Sequence, residues 1–184
     1  MSAARLTKID LAQVPDPCKE LAKAAGSASV NQALSARTSL AVCLADQKTK
    51  PLVLCDCEQS VREIEAAIQP SLDMLDEVFA LGDAAQQILA RTAQGEMLQS
   101  LATRMLATVP PPLNPSDEAV ALHDTRVQLL QPLIAPWQQQ AQAAFAAVDQ
   151  LAKKNPQLAK NQAVVAAVRT SRQRLSQLDT TAKR

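Results

Sequence analysis

Four cysteines, Cys18, Cys43, Cys55 and Cys57, fall within 40 residues of a 184-residue chain, and the 127 residues that follow contain none. Such a cluster can do three kinds of chemistry: disulfide cross-linking, metal ligation by thiolates, and thiol–disulfide exchange. An even, clustered set favours disulfides, and with them an oxidising, extracytoplasmic compartment. If the helices that carry the cysteines alternate in direction, all four sulfurs gather at one end of a bundle. The turn between Cys43 and Cys55 centres on Thr49, six residues from each, as a cross-link across a helical hairpin requires. With Pro51 opening a helix, Cys55 and Cys57 project from different sides of it, which disfavours a bond between those two. The expected arrangement is two disulfides using all four cysteines, with Cys18 and Cys43 each bonded to one of the pair. A Cys18–Cys43 bond with two free thiols is the variant.

The rival readings are weaker. Structural zinc sites use cysteine pairs with wider spacers on turns, whereas the one close pair here has a single intervening residue. A Cys-x-Cys redox pair lacks the strand-to-helix context of a thioredoxin-like site. Four reduced core cysteines are the plainest alternative. No cofactor and no resident metal are expected.

Other reactive side chains lack partners. His123 is the only histidine, in Leu122-His-Asp124, and reads as a rim residue rather than a general base, which would need groups within hydrogen-bond reach. Asp73, Asp76 and Glu77, like Glu63 and Glu65, recur at helical spacing without the Glu-x-x-His pairs of di-iron bundles, and read as a solvated acidic face. The chain has no Gly-x-Gly-x-x-Gly, no Walker loop and no Gly-x-Ser-x-Gly. Trp137, placed just after Pro132 and Pro136, is either core filler or, if exposed, an interface anchor.

The elements that must position these residues are helices. Ala, Leu, Gln, Glu, Lys and Arg dominate and lose little rotamer freedom in a helix. Strand formers are sparse, with 2 Phe, 1 Trp and no Tyr, and only 3 Gly are available for turns. Asp16-Pro17 caps a short helix that Gly26 stops. Val30, Ala33, Leu34, Arg37, Leu40, Ala41 and Leu44 share one face of a second helix. A third opens at Pro51, and Pro70 starts a new helix or kinks a longer one. Asp83 caps the next. Asp117 to about Lys154 is helical with Pro132 and Pro136 bending its middle, and Asn155-Pro156 precedes the last helix.

The fold class expected is all-α, an up-and-down antiparallel bundle of about five to six helices with disulfide-stapled N-terminal helices. Residues 1–15 form a polar N-terminal segment and 16–109 the cysteine-bearing helical part. Residues 110–116 are a proline-rich connector, and 117–184 a long kinked helix plus a basic last helix, packed on the first part as one domain. No 34-residue helical repeat is present.

A net charge of +1 hides a segregation: +3 over residues 1–50, −9 over 51–149 and +7 over 150–184. The basic end is matched internally by the acidic middle or docks an anionic partner, with Arg169, Arg172 and Arg174 as interface candidates beside Trp137. The expected partner is another protein, or a second copy of this chain. Nucleic acid is disfavoured, because aromatic stacking platforms are absent. No run of about 20 apolar residues is available to span a bilayer. The first 14 residues lack the apolar core of a signal peptide, so an extracytoplasmic site implies a leader already removed. These features favour a non-enzymatic helical module for protein interaction or structural support in an envelope assembly. The alternative is a thiolate zinc- or copper-binding or redox protein.

Overall fold

The computed structural model describes residues 6–114 and 116–181. Within them six α-helices follow one another: α1 (Lys19–Ala25), α2 (Val30–Thr49), α3 (Glu58–Leu81), α4 (Ala84–Leu106), α5 (Asp117–Lys154) and α6 (Gln162–Thr181). Short 3-10 turns at Leu11–Gln13, Asp16–Cys18 and Pro156–Lys160 join them, and no strand occurs among the described residues. Consecutive helices pack on each other in an up-and-down all-α bundle. Helix α4 lies at its centre, touching α2, α3, α5 and α6. None of the described helices is long and apolar enough to cross a membrane.

Local chemistry explains the boundaries. The Asp83 side chain accepts from the Gln86 amide, and the Gln86 side chain reaches back to the Asp83 amide, so α4 begins with a reciprocal cap. Gln86 Nε2 also donates to Asn31 O at 3.0 Å, tying that cap to α2. Ser116 accepts from the Ala119 amide ahead of the acidic first turn Asp117–Glu118. Asn161 accepts from the amides of Ala163 and Val164 at the start of α6.

One boundary differs from the sequence expectation, and one choice left open there is decided. Pro70 neither starts nor ends a helix, because α3 runs through it. Proline removes one amide and frees one carbonyl. Pro70 is exposed, and its helix continues with that side in water; Pro132 and Pro136, also exposed, lie inside α5 in the same way. Pro51, in contrast, does not open α3. Residues 51–57 are non-helical, and Cys57 takes an extended backbone (φ −139°, ψ 157°) immediately before the first turn.

The main core draws on both sides of the proline-rich connector. Ile64 and Ile68 of α3, Leu98 and Met105 of α4, and Leu130, Ile134, Trp137 and Phe145 of α5 are all buried in it. A satellite core beneath the N-terminal segment contains Val14, Cys18, Ala22, Ala25 and Leu40. Inside that cluster Cys18 is bonded to Cys43, with a Cα–Cα separation of 5.8 Å, well within disulfide range. The bond staples the start of α1 to α2. A buried hydroxyl pair, Thr92 Oγ1 and Ser171 Oγ at 3.2 Å, joins α4 to α6.

Candidate functional site

Three places gather groups that could bind or react. The first is a groove between the C-terminal end of α5, the Pro156–Lys160 turn and α6, with a volume of about 440 Å³. Asn155 ends α5 and donates from its side chain to Leu151 O, and Pro156 then turns the chain. This places Leu158 and Ala159 opposite Val164, Val165 and Val168, so the floor is apolar. Val165 is 47% exposed there. The rim is cationic: Lys153, Arg169 and Arg172. Asp149 sits between two of these charges, 2.7 Å from Lys153 Nζ and 2.8 Å from Arg172. Hydrogen bonds from Lys153 and then from Arg172 hold its carboxyl below the usual carboxylate range. Arg169 is exposed on the same stripe.

The four interface candidates therefore separate. Arg169 and Arg172 are three apart on the helix and face the groove together. Arg174, about 200° further round from Arg172 at 100° per residue, lies off that stripe and donates to Gln177 instead. Trp137 is 3% exposed, and its indole N–H donates to Glu65 Oε1 at 3.2 Å. It fills the core between helices and is not available as a surface anchor.

The second place is the Cys55–Cys57 segment. The expected cross-connection of Cys18 and Cys43 to this pair does not form. Cys55 is bonded to Cys57, with a Cα–Cα separation of 5.3 Å. The reason is the non-helical backbone of 51–57: in an extended run side chains alternate, so residues two apart share a side. With Cys18–Cys43 the other bond, no cysteine is free among the described residues. No three His, Cys, Asp or Glu side chains among the described residues gather as a metal cluster. Asp56, between the two cysteines, accepts from Arg126 Nε at 2.7 Å, and that bond holds its carboxyl below the usual range. His123, one turn before Arg126 on α5, is half-buried, with Nδ1 3.1 Å from Asp124 Oδ1 of its own helix.

The third place is a buried ion pair that sequence reasoning missed. Arg37, 3% exposed on the apolar face of α2, donates to Glu77 Oε2 of α3 and to the Thr7 carbonyl. The Thr7 amide donates back to Glu77 Oε1 at 2.5 Å. Glu77 is thus no part of a solvated acidic face. Its neighbours do face outward: Asp76 pairs with Arg91 at 2.7 Å and Asp73 accepts from Gln69. The signal for the pair was an arginine in the middle of an apolar stripe, a position that demands a buried partner. The arrangement docks the N-terminal segment, and Arg37 and Glu77 line a cavity of about 370 Å³ beside it.

No family model, no curated protein and no solved structure matches this chain.

Proposed function

We propose that the protein is a non-enzymatic, extracytoplasmic helical module that docks another protein in an envelope assembly. The observation that carries the reading is the groove between α5 and α6, with its apolar floor and its rim of Lys153, Arg169 and Arg172. An amphipathic helix with acidic flanks fits that chemistry. Its apolar stripe would cover Leu158, Val165 and Val168, and its carboxylates would meet the arginines. Rim charges chiefly steer encounter and set salt dependence, while the floor supplies contact area. The paired cysteines support an oxidising compartment.

The test is position-specific cross-linking in the native host. A photoreactive residue replacing Val165 captures one predominant partner, and the same residue at Val42, exposed on α2, does not. Arg169→Glu with Arg172→Glu abolishes the capture. Equal capture from both positions, or capture indifferent to charge reversal, overturns the docking site. Alkylation of living cells before lysis tests the compartment, because the cysteines must already be oxidised.

A further inference from the structure

The two disulfides sit in opposite environments. Cys18 is fully buried in a satellite core and its bond spans 25 positions, so it restrains the unfolded chain substantially. Cys55 is exposed, Cys57 half-buried, and their bond spans two positions. Closing so short a segment restrains little of the unfolded chain. A structural staple accounts for the first bond and not for the second.

The surroundings of the second bond suit a chemical role. Cys57 occupies the cap position of the 24-residue α3, and its side chain makes no capping hydrogen bond there. That end of a helix stabilises a thiolate. Ser60, 2% exposed one turn along, accepts the Cys55 amide at 2.8 Å. Its Oγ lies 3.3 Å from Cys55 Sγ and 3.8 Å from Cys57 Sγ. Neither sulfur carries a hydrogen in the disulfide, so the Ser60 hydroxyl is the donor and can follow negative charge as it develops on sulfur. The adjoining carboxylates are already matched: Asp56 by Arg126 at 2.7 Å, and Glu58 by Arg62 at 2.6 Å. Neither leaves an unscreened negative charge to oppose a thiolate.

We propose that Cys55–Cys57 is an exchangeable disulfide that accepts two electrons from a dithiol on a partner polypeptide. A thiolate of the partner attacks Sγ of the exposed residue Cys55. The Cys55–Cys57 bond breaks, its electron pair goes to Cys57 as a thiolate at the start of α3, and a mixed disulfide joins Cys55 to the partner. The partner's second thiolate then attacks its own sulfur in that mixed disulfide and releases Cys55. The partner leaves oxidised, with a new disulfide, and its two protons are taken up by Cys55 and Cys57 or by solvent. A stabler leaving thiolate speeds the first step, which favours Cys57 as the leaving sulfur. This activity does not depend on the docking groove, and it can fail while the docking reading stands.

The full-length chain is titrated with dithiothreitol, quenched with N-ethylmaleimide and mapped by peptide mass, with helicity followed in parallel. Cys55 and Cys57 become labelled at a dithiothreitol concentration about tenfold or more below that needed for Cys18 and Cys43, with helicity unchanged. Glutathione in limiting amount gives an adduct on Cys55. Ser60→Ala slows reduction and raises the pH at which reduced Cys57 alkylates in the Cys55→Ser chain, and Ser60→Thr restores both. Simultaneous reduction of the two bonds, prior reduction of Cys18–Cys43, loss of helicity as Cys55–Cys57 opens, or an adduct on Cys57 overturns the proposal. A Ser60→Ala chain with unchanged rate and alkylation profile removes the role assigned to that hydroxyl and overturns the proposal in this form.

Discussion

Gly95 of α4 and Phe145 of α5 meet so closely that a side chain cannot begin at position 95. A Cβ built there would lie 2.5 Å from Phe145 Cε1 and 2.7 Å from Cζ, and the ring is fully buried. The closest approach of the two central helices is thus set by a missing methyl group.

Gly95→Ala should therefore destabilise the protein despite the better helix propensity of alanine. Propensity favours alanine by about 1 kcal/mol, but overpacking a rigid aromatic ring typically costs about 1–3 kcal/mol. A net loss of about 1–2 kcal/mol in urea unfolding is expected, and Gly95→Ala with Phe145→Leu should fall short of the sum of the two single changes. A neutral or stabilising Gly95→Ala would mean that the helices separate freely.

Arg37→Ala should be among the most damaging single changes. It leaves the Glu77 carboxylate, 15% exposed, without its cation, and also removes the donor that holds the Thr7 carbonyl. Breaking one side of a buried pair costs about 3–5 kcal/mol. Hydrogen exchange should show residues 6–14 losing protection first, since their anchor is gone. Protection that vanishes uniformly along the chain would place the pair's role elsewhere.

The two disulfides should differ in thermodynamic effect. Replacing Cys18 and Cys43 together by alanine should lower stability by about 3.5 kcal/mol, the loop-entropy value for a separation of 25 residues. Replacing Cys55 and Cys57 together by serine should lower it by less than half as much, about 1–1.5 kcal/mol at most. Thermal unfolding of the two double variants under identical conditions checks the ranking.

Asp149 gives a pH dependence with a definite sign. Lys153 and Arg172 lower its folded pKa relative to the unfolded chain. Its contribution is therefore complete above the ordinary carboxylate value and is lost as pH falls through the lower folded value. The stability gap between the native chain and Asp149→Asn should be constant above about pH 5 and close progressively as the pH falls below the ordinary carboxylate range. The carboxylate is 21% exposed, so the gap should also shrink in high salt. A gap that widened on acidification would contradict the pairing.

What could be read from the sequence follows from whether a feature is local. The Asp83 cap, the stop at Gly26 and the break at Asn155-Pro156 depend on residues within one turn, and all three lie at or beside the helix ends observed. The apolar stripe of α2 was legible too from Ala33 onward, Arg37 included, whereas Val30 at its start is exposed. Its partner Glu77 lies 40 positions away, and nothing local marks it. The disulfide pairing turned on one local misjudgement. With 51–57 taken as helical, Cys55 and Cys57 point apart; with that segment extended, they share a side. Whether Trp137 was core or surface depended on how α5 is rotated against its neighbours, which spacing alone does not report.

Helix α5 has a mechanical character that its continuity conceals. Its 38 residues span about 57 Å, yet Pro132 and Pro136 lack amide hydrogens, so the carbonyls of Gln128 and Pro132 receive no bond from the next turn. The missing rungs fall within one stretch of an otherwise fully braced rod. Under load the rod yields first there. The half bearing Arg126 is latched to Asp56 beside the exposed disulfide, and the buried Leu130 and Ile134 are what brace the weakened stretch.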